Sequence, residues 1–189
     1  MAANGLQEFK RVLKSFRELG GLAVKGTVAV PLLNIWLKFG PPPAAAVALL
    51  TSGVQFLAVI WAFHFWHGME RNRLNRRMKF SLAVLIAGLM IFGVLLAQFT
   101  IRPPKRELVV EGFTLRSDVQ PLIGIGFTPE DALKGAQYDA SQVWTTTSIT
   151  VIHALLVVSW LASFAAVAMF LSAFLLAQKA AIRQNTAPR

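Results

Sequence analysis

Cysteine is absent from the 189 residues. Without a thiol there is no disulfide framework, no thiolate metal site and no lipidated cysteine. Carboxylates are scarce: nine, against nineteen Lys and Arg. Their positions matter more than their number. Residues 44–65, 80–101 and 149–177 form three long stretches with no Asp, Glu, Lys or Arg. A helix of about 20 apolar residues crosses a hydrocarbon core of roughly 30 Å. An ionised side chain at its centre costs about 2.5–3.5 kcal/mol. Three such runs in a chain that is 55% hydrophobic predict an integral membrane protein. The lack of an intramembrane carboxylate also weighs against a proton- or cation-coupled carrier.

Other absences narrow the chemistry. There is no Ser/His/acid set, no phosphate-cradling glycine loop and no zinc-protease motif. Of the three histidines, His64 and His67 stand at one end of the second span and His153 near the start of the last. No third ligand joins His64 and His67, so no metal site is expected, and interfacial hydrogen bonding suits them better. Neither a cofactor nor catalytic residues are expected, and the chain reads as a non-enzyme. The net charge of +10 would fit nucleic acid. The basic residues, however, flank the apolar runs, as the positive-inside rule requires, so no nucleic-acid partner is expected.

The basic residues also order the chain. Residues 1–19 read as an amphipathic helix: Leu6, Phe9, Val12, Leu13, Phe16 and Leu19 recur at helical spacing, with Lys10, Arg11, Lys14 and Arg17 on other faces. This helix either lies on the cytoplasmic membrane surface or packs in a cytoplasmic layer. Residues 20–39 are mostly apolar but contain Lys25, Pro31 and Asn34, and so either span or re-enter the membrane. A signal peptide fits poorly, because this first apolar run carries Lys25.

If residues 20–39 span, twelve basic residues fall on the side of both termini: Lys10, Arg11, Lys14, Arg17, Arg71, Arg73, Arg76, Arg77, Lys79, Lys179, Arg183 and Arg189. Six fall outside: Lys38, Arg102, Lys105, Arg106, Arg116 and Lys134. Without that span the split is eleven to eight. Charge therefore favours four spans (20–39, 44–66, 80–101 and 148–178) in a plasma or inner membrane, with both termini cytoplasmic and 179–189 a basic tail.

The expected fold is an all-α, four-helix transmembrane bundle with the N-terminal amphipathic helix and a small extracytoplasmic cap at residues 102–147. The cap holds six of the nine acids: Glu107, Glu111, Asp118, Glu130, Asp131 and Asp139. Within it, residues 108–115 read as a strand. Thr128-Pro129-Glu130-Asp131 reads as a helix start running to about Gly135, and the last span is expected to begin near Ser141. Residues 70–79 read as a basic loop.

Inside the spans, Thr51 and Gln55 give the second a polar strip, and Ser148, Ser159 and Ser163 fall along roughly one face of the fourth. Small and hydroxyl residues serve helix packing, or they line a wetted path to which Lys25 and Asn34 contribute. One four-helix bundle encloses little space, so a conduit would form between subunits in a closed ring. The leading expectation is a homo-oligomeric channel or pore in the lipid bilayer. The alternative is a non-catalytic anchor or regulatory subunit that meets a protein partner at the cap or at the basic cytoplasmic face. A lipid-processing enzyme is a third, weaker reading.

Overall fold

The computed structural model describes residues 41–103, 108–124 and 126–186. The expectations for residues 1–19 and 20–39, including Lys10, Arg11, Lys14, Arg17, Lys25 and Asn34, lie outside the described residues. The described chain is mainly helical. In order it forms α1 (Ala44–Trp66), α2 (Arg71–Phe99), β1 (Thr100–Ile101), β2 (Val109–Val110), α3 (Gln120–Gly124), α4 (Pro129–Gly135), a 3₁₀ turn (Ala140–Gln142) and α5 (Thr146–Thr186). α1, α2 and α5 are long and apolar enough to cross a membrane, which suggests an integral membrane protein.

Each long helix extends beyond what hydrocarbon requires. At 1.5 Å per residue, the 23 residues of α1 reach about 35 Å and the 41 of α5 about 60 Å. α2 begins at Arg71, well before the apolar run at Phe80, so the stretch expected as a basic loop is almost entirely helical. Arg, Leu, Met and Lys are good helix formers. The Leu74 amide donates to the Glu70 carbonyl at 3.1 Å, setting the first turn. Leu74 and Met78, four apart, then pack inward.

α2 stops at Phe99 because the chain turns into a strand pair, Thr100 opposite Val110 and Ile101 opposite Val109. The Glu111 amide closes this junction by donating to the Phe99 carbonyl (2.8 Å). The strand expected over 108–115 is therefore only two residues long, with one further isolated bridge between Leu115 and Trp144. Gly112 explains the interruption. A Cβ there would run into the Ser148 hydroxyl and come within 2.8 Å of the Trp144 Cβ, so the backbone passes too close for pleated side chains. The last helix starts at Thr146 rather than near Ser141. The Asp139 carboxylate caps the 3₁₀ turn instead, and Val143 and Trp144 are buried before α5 begins.

The chain divides into two compact units. The described part of the first comprises residues 44–87 and 161–186. Its core is Ala62 and Trp66 of α1, Leu74 of α2, and Ala173 and Leu176 of α5, bordered by Phe63, Met69, Met78 and Met169. Trp61 adds ring contacts to Phe65 (5.2 Å) and Trp66 (5.6 Å).

The second unit comprises residues 41–43 and 88–160. Val119, Leu133, Val143 and Trp144 form its core, with Ile101, Leu115, Ile123 and Ile149 packed around them. Phe92 of α2 meets Trp160 of α5 at 5.1 Å. The expected helix start at Thr128 is present as a reciprocal capping box. The Asp131 amide donates to the Thr128 hydroxyl oxygen (3.1 Å), and the Asp131 carboxylate accepts from the Thr128 amide (3.1 Å). Pro129 opens the helix, and Lys134 pairs with Glu130 at 2.9 Å.

Candidate functional site

Thr51 and Gln55 of α1 share one buried face. Val47, Ala48, Thr51, Gln55, Ala62 and Trp66 fall on one face at helical spacing and are all buried. The Thr51 hydroxyl donates to the Val47 carbonyl (2.6 Å), which satisfies it within the helix. Gln55 differs. It is 3% exposed, and its amide oxygen has no hydrogen-bond partner among the described residues. A buried carbonyl of this kind costs about 1–3 kcal/mol when left unpaired.

On α5, Ser148, Ile152, Leu156, Ser159, Ser163, Ala166 and Ala173 are buried along one helical face, as the serine spacing predicts. The three serines do different things. Ser159 donates to the Leu156 carbonyl (3.0 Å) within its own helix. Ser163 is fully buried. Ser148, in the first turn of α5, bonds back toward the connecting segment. Its hydroxyl donates to the Thr145 carbonyl (2.9 Å), lies 3.4 Å from the Thr114 carbonyl and accepts from the Thr145 hydroxyl (3.1 Å). The Thr145 amide donates to the same Thr114 carbonyl (3.0 Å). This knot fastens residues 112–115 to the start of α5.

The opposite faces of the long helices are apolar and bare. Leu49, Leu50, Phe56, Leu57, Trp61 and Phe65 project from α1, and Phe80, Leu82, Ile86, Leu89, Met90, Ile91 and Val94 from α2. On a water-soluble monomer such area would be an anomaly; lipid or another subunit covers it at no cost. α2 is the barest, with 17% of its apolar stretch buried.

Sequence reasoning missed the feature at the start of α2. As a helix, the segment splits into two faces. Leu74 and Met78 point into the core, while Asn72, Arg73, Arg76 and Arg77 are exposed on the other side. With Met69 these four line an open cavity of about 540 Å³. A second cavity of about 190 Å³ is lined by Trp66, His67, Met69, Glu70, Arg71 and Lys179 among others. Spacing at 69, 72, 73, 76 and 77 was the available signal, hidden by reading the segment as a loop.

The histidines stay apart in role. His64 sits edge-on to Phe65 at 4.9 Å, and His153 hydrogen-bonds the Pro42 carbonyl through Nε2. Among the described residues, no three His, Asp or Glu side chains converge as metal ligands.

In the connecting segment Arg116 pairs with Asp118 at 3.0 Å and Lys134 with Glu130 at 2.9 Å, both at the surface. The Thr128 hydroxyl holds the Asp131 carboxyl below the usual carboxylate range, and Ser141 and Gln142 do the same for Asp139. Glu111 moves the other way: partial burial, reinforced by the charge of Glu130, pushes its carboxyl up. Comparison with protein-family models, with curated proteins and with solved structures finds no match to this chain.

Proposed function

We propose that the chain is a multi-pass membrane protein that self-assembles into a homo-oligomeric channel or pore. The observation that carries this reading is Gln55. A buried amide oxygen without a partner, in a helix long enough to span, calls for water, and water within a span is what a conduit supplies. The bare apolar faces of α1 and α2 are surfaces on which copies could meet. In this proposal both termini face the cytoplasm, the Arg71 end of α2 lies on that side, and residues 102–147 form an extracytoplasmic cap.

The test couples two measurements on one sample: native mass in nanodiscs and conductance after fusion with a planar bilayer. A ring of several copies that conducts is the expected result, with conductance lowered by Gln55→Leu. A monomer, or an oligomer without conductance, overturns it. A second reading, an anchor or regulatory subunit, draws on the connecting segment, whose own core leaves Phe113, Leu122 and Phe127 exposed for a partner. Stoichiometric co-purification of another protein would favour that reading.

A further inference from the structure

We propose that the arginine face at the start of α2 is a binding site for the phosphate-bearing headgroup of an anionic phospholipid. The inference is independent of whether the protein conducts.

Helical order places Arg73, Arg76 and Arg77 on one stripe with Asn72 and Met69, around an open cavity of about 540 Å³. All three guanidiniums are exposed, and none forms an ion pair among the described residues. Like charges three and four apart on a helix repel. Three of them, with no carboxylate paired to them among the described residues, leave a local positive field that an external anion relieves. No acidic residue stands in the first turn of α2 to do so. Glu70 precedes that turn and lines the smaller cavity beside Arg71 and Lys179, not the arginine stripe.

Depth selects the kind of anion. The apolar run of α2 starts at Phe80, three residues after Arg77 and about 4.5 Å along the axis. Exposed Phe80 and Leu82 belong among acyl chains, which sets the arginines at the level where lipid phosphates lie. Trp61, exposed near the end of α1, is the kind of residue that marks this boundary. Guanidinium forks match phosphate oxygens two at a time, and Met69 with the arginine stems offers an apolar floor for the glycerol end. A zwitterionic lipid carries its own ammonium and would gain far less.

The protein released from nanodiscs containing equal phosphatidylglycerol and phosphatidylcholine should retain phosphatidylglycerol preferentially in native mass spectrometry. Each basic group near the surface contributes about fivefold. Substituting Arg73→Gln, Arg76→Gln and Arg77→Gln together should therefore reduce that retention by well over tenfold. Arg116→Gln with Lys134→Gln, in the connecting segment, should leave it unchanged. Circular dichroism checks that the triple variant is folded. If it is not, salt titration of the wild type replaces it, with retention expected to fall as salt rises. Inorganic phosphate at millimolar concentration should not displace the lipid, since it lacks the acyl anchor. Displacement by phosphate would assign the site to a soluble anion and overturn the proposal. So would equal retention of both lipids, unchanged retention in the folded triple variant, or salt-independent retention.

Discussion

Two single residues in this protein run against their surroundings, and each makes a sharp prediction. Gln55 keeps inside α1 an amide oxygen with no hydrogen-bond partner among the described residues. The proposed conduit supplies water to that oxygen, so Gln55→Leu forfeits a hydrogen bond and should lower the thermal midpoint in detergent, by about 0.5–1.5 kcal/mol of stability. A rise in the midpoint would mean that no water reaches the amide.

Glu111 is a carboxylate whose burial favours the neutral form. Its pKa is raised on folding, so the folded state binds the proton more tightly than the unfolded one. The stabilisation this provides is present below the ordinary carboxylate range and is lost as pH rises through the raised value. Glu111→Gln should thus raise the midpoint by about 1–2 °C at neutral pH and by nothing in acid. Asp131 has the opposite sign. Its depressed carboxyl supports the fold at neutral pH, and that support disappears as pH falls through its lowered value.

Elements tell a different story, one of caps and close approaches. Thr128→Ala removes one half of a capping box and should cost about 1 kcal/mol, seen as faster amide exchange confined to α4. Gly112→Ala places a methyl against the Ser148 hydroxyl and the Trp144 side chain. It should cost about 1–3 kcal/mol and loosen the knot between Thr114, Thr145 and Ser148, detected by exchange at the Thr145 amide. α4 was legible from Thr128-Pro129-Glu130-Asp131 because capping is a local matter of four residues. The buried serine face of α5 was legible for a similar reason, since 3.6-residue periodicity survives any partner. The short β1–β2 pair was not, because its extent depends on how close Gly112 comes to Trp144, a contact between residues 32 apart in sequence. The start of α2 was misjudged for another reason. A run of arginines reads as solvated and irregular until Leu74 and Met78 are seen to anchor one side of it.

At the scale of the molecule, three helices among the described residues are long and apolar enough to span, and they carry exposed Leu, Phe, Ile and Met along their outer faces. That much followed from the absence of charge over 44–65, 80–101 and 149–177. Which side faces the cytoplasm rests on counting basic residues, and the cysteine-free sequence makes it directly testable. Asn72→Cys and Ser141→Cys each introduce a sole thiol. The proposed topology has an impermeant maleimide label Ser141→Cys from outside intact cells and reach Asn72→Cys only after lysis. The reverse pattern would invert the assignment and, with it, the placing of cap and basic tail.

The continuity of α2 from Arg71 through the hydrocarbon has a mechanical corollary. Arg73, Arg76 and Arg77 are clocked to Ser81 and the rest of that helix by unbroken hydrogen bonding, so the charged collar and the span turn as one shaft. A 20° roll of the span would sweep each guanidinium about 2 Å sideways. A single alanine inserted after Lys79 would throw the collar out of phase by about 100°, and four would bring it nearly back. The arginines are thus a dial on the angular position of α2, fixed to the part of the helix that lies out of sight in the bilayer.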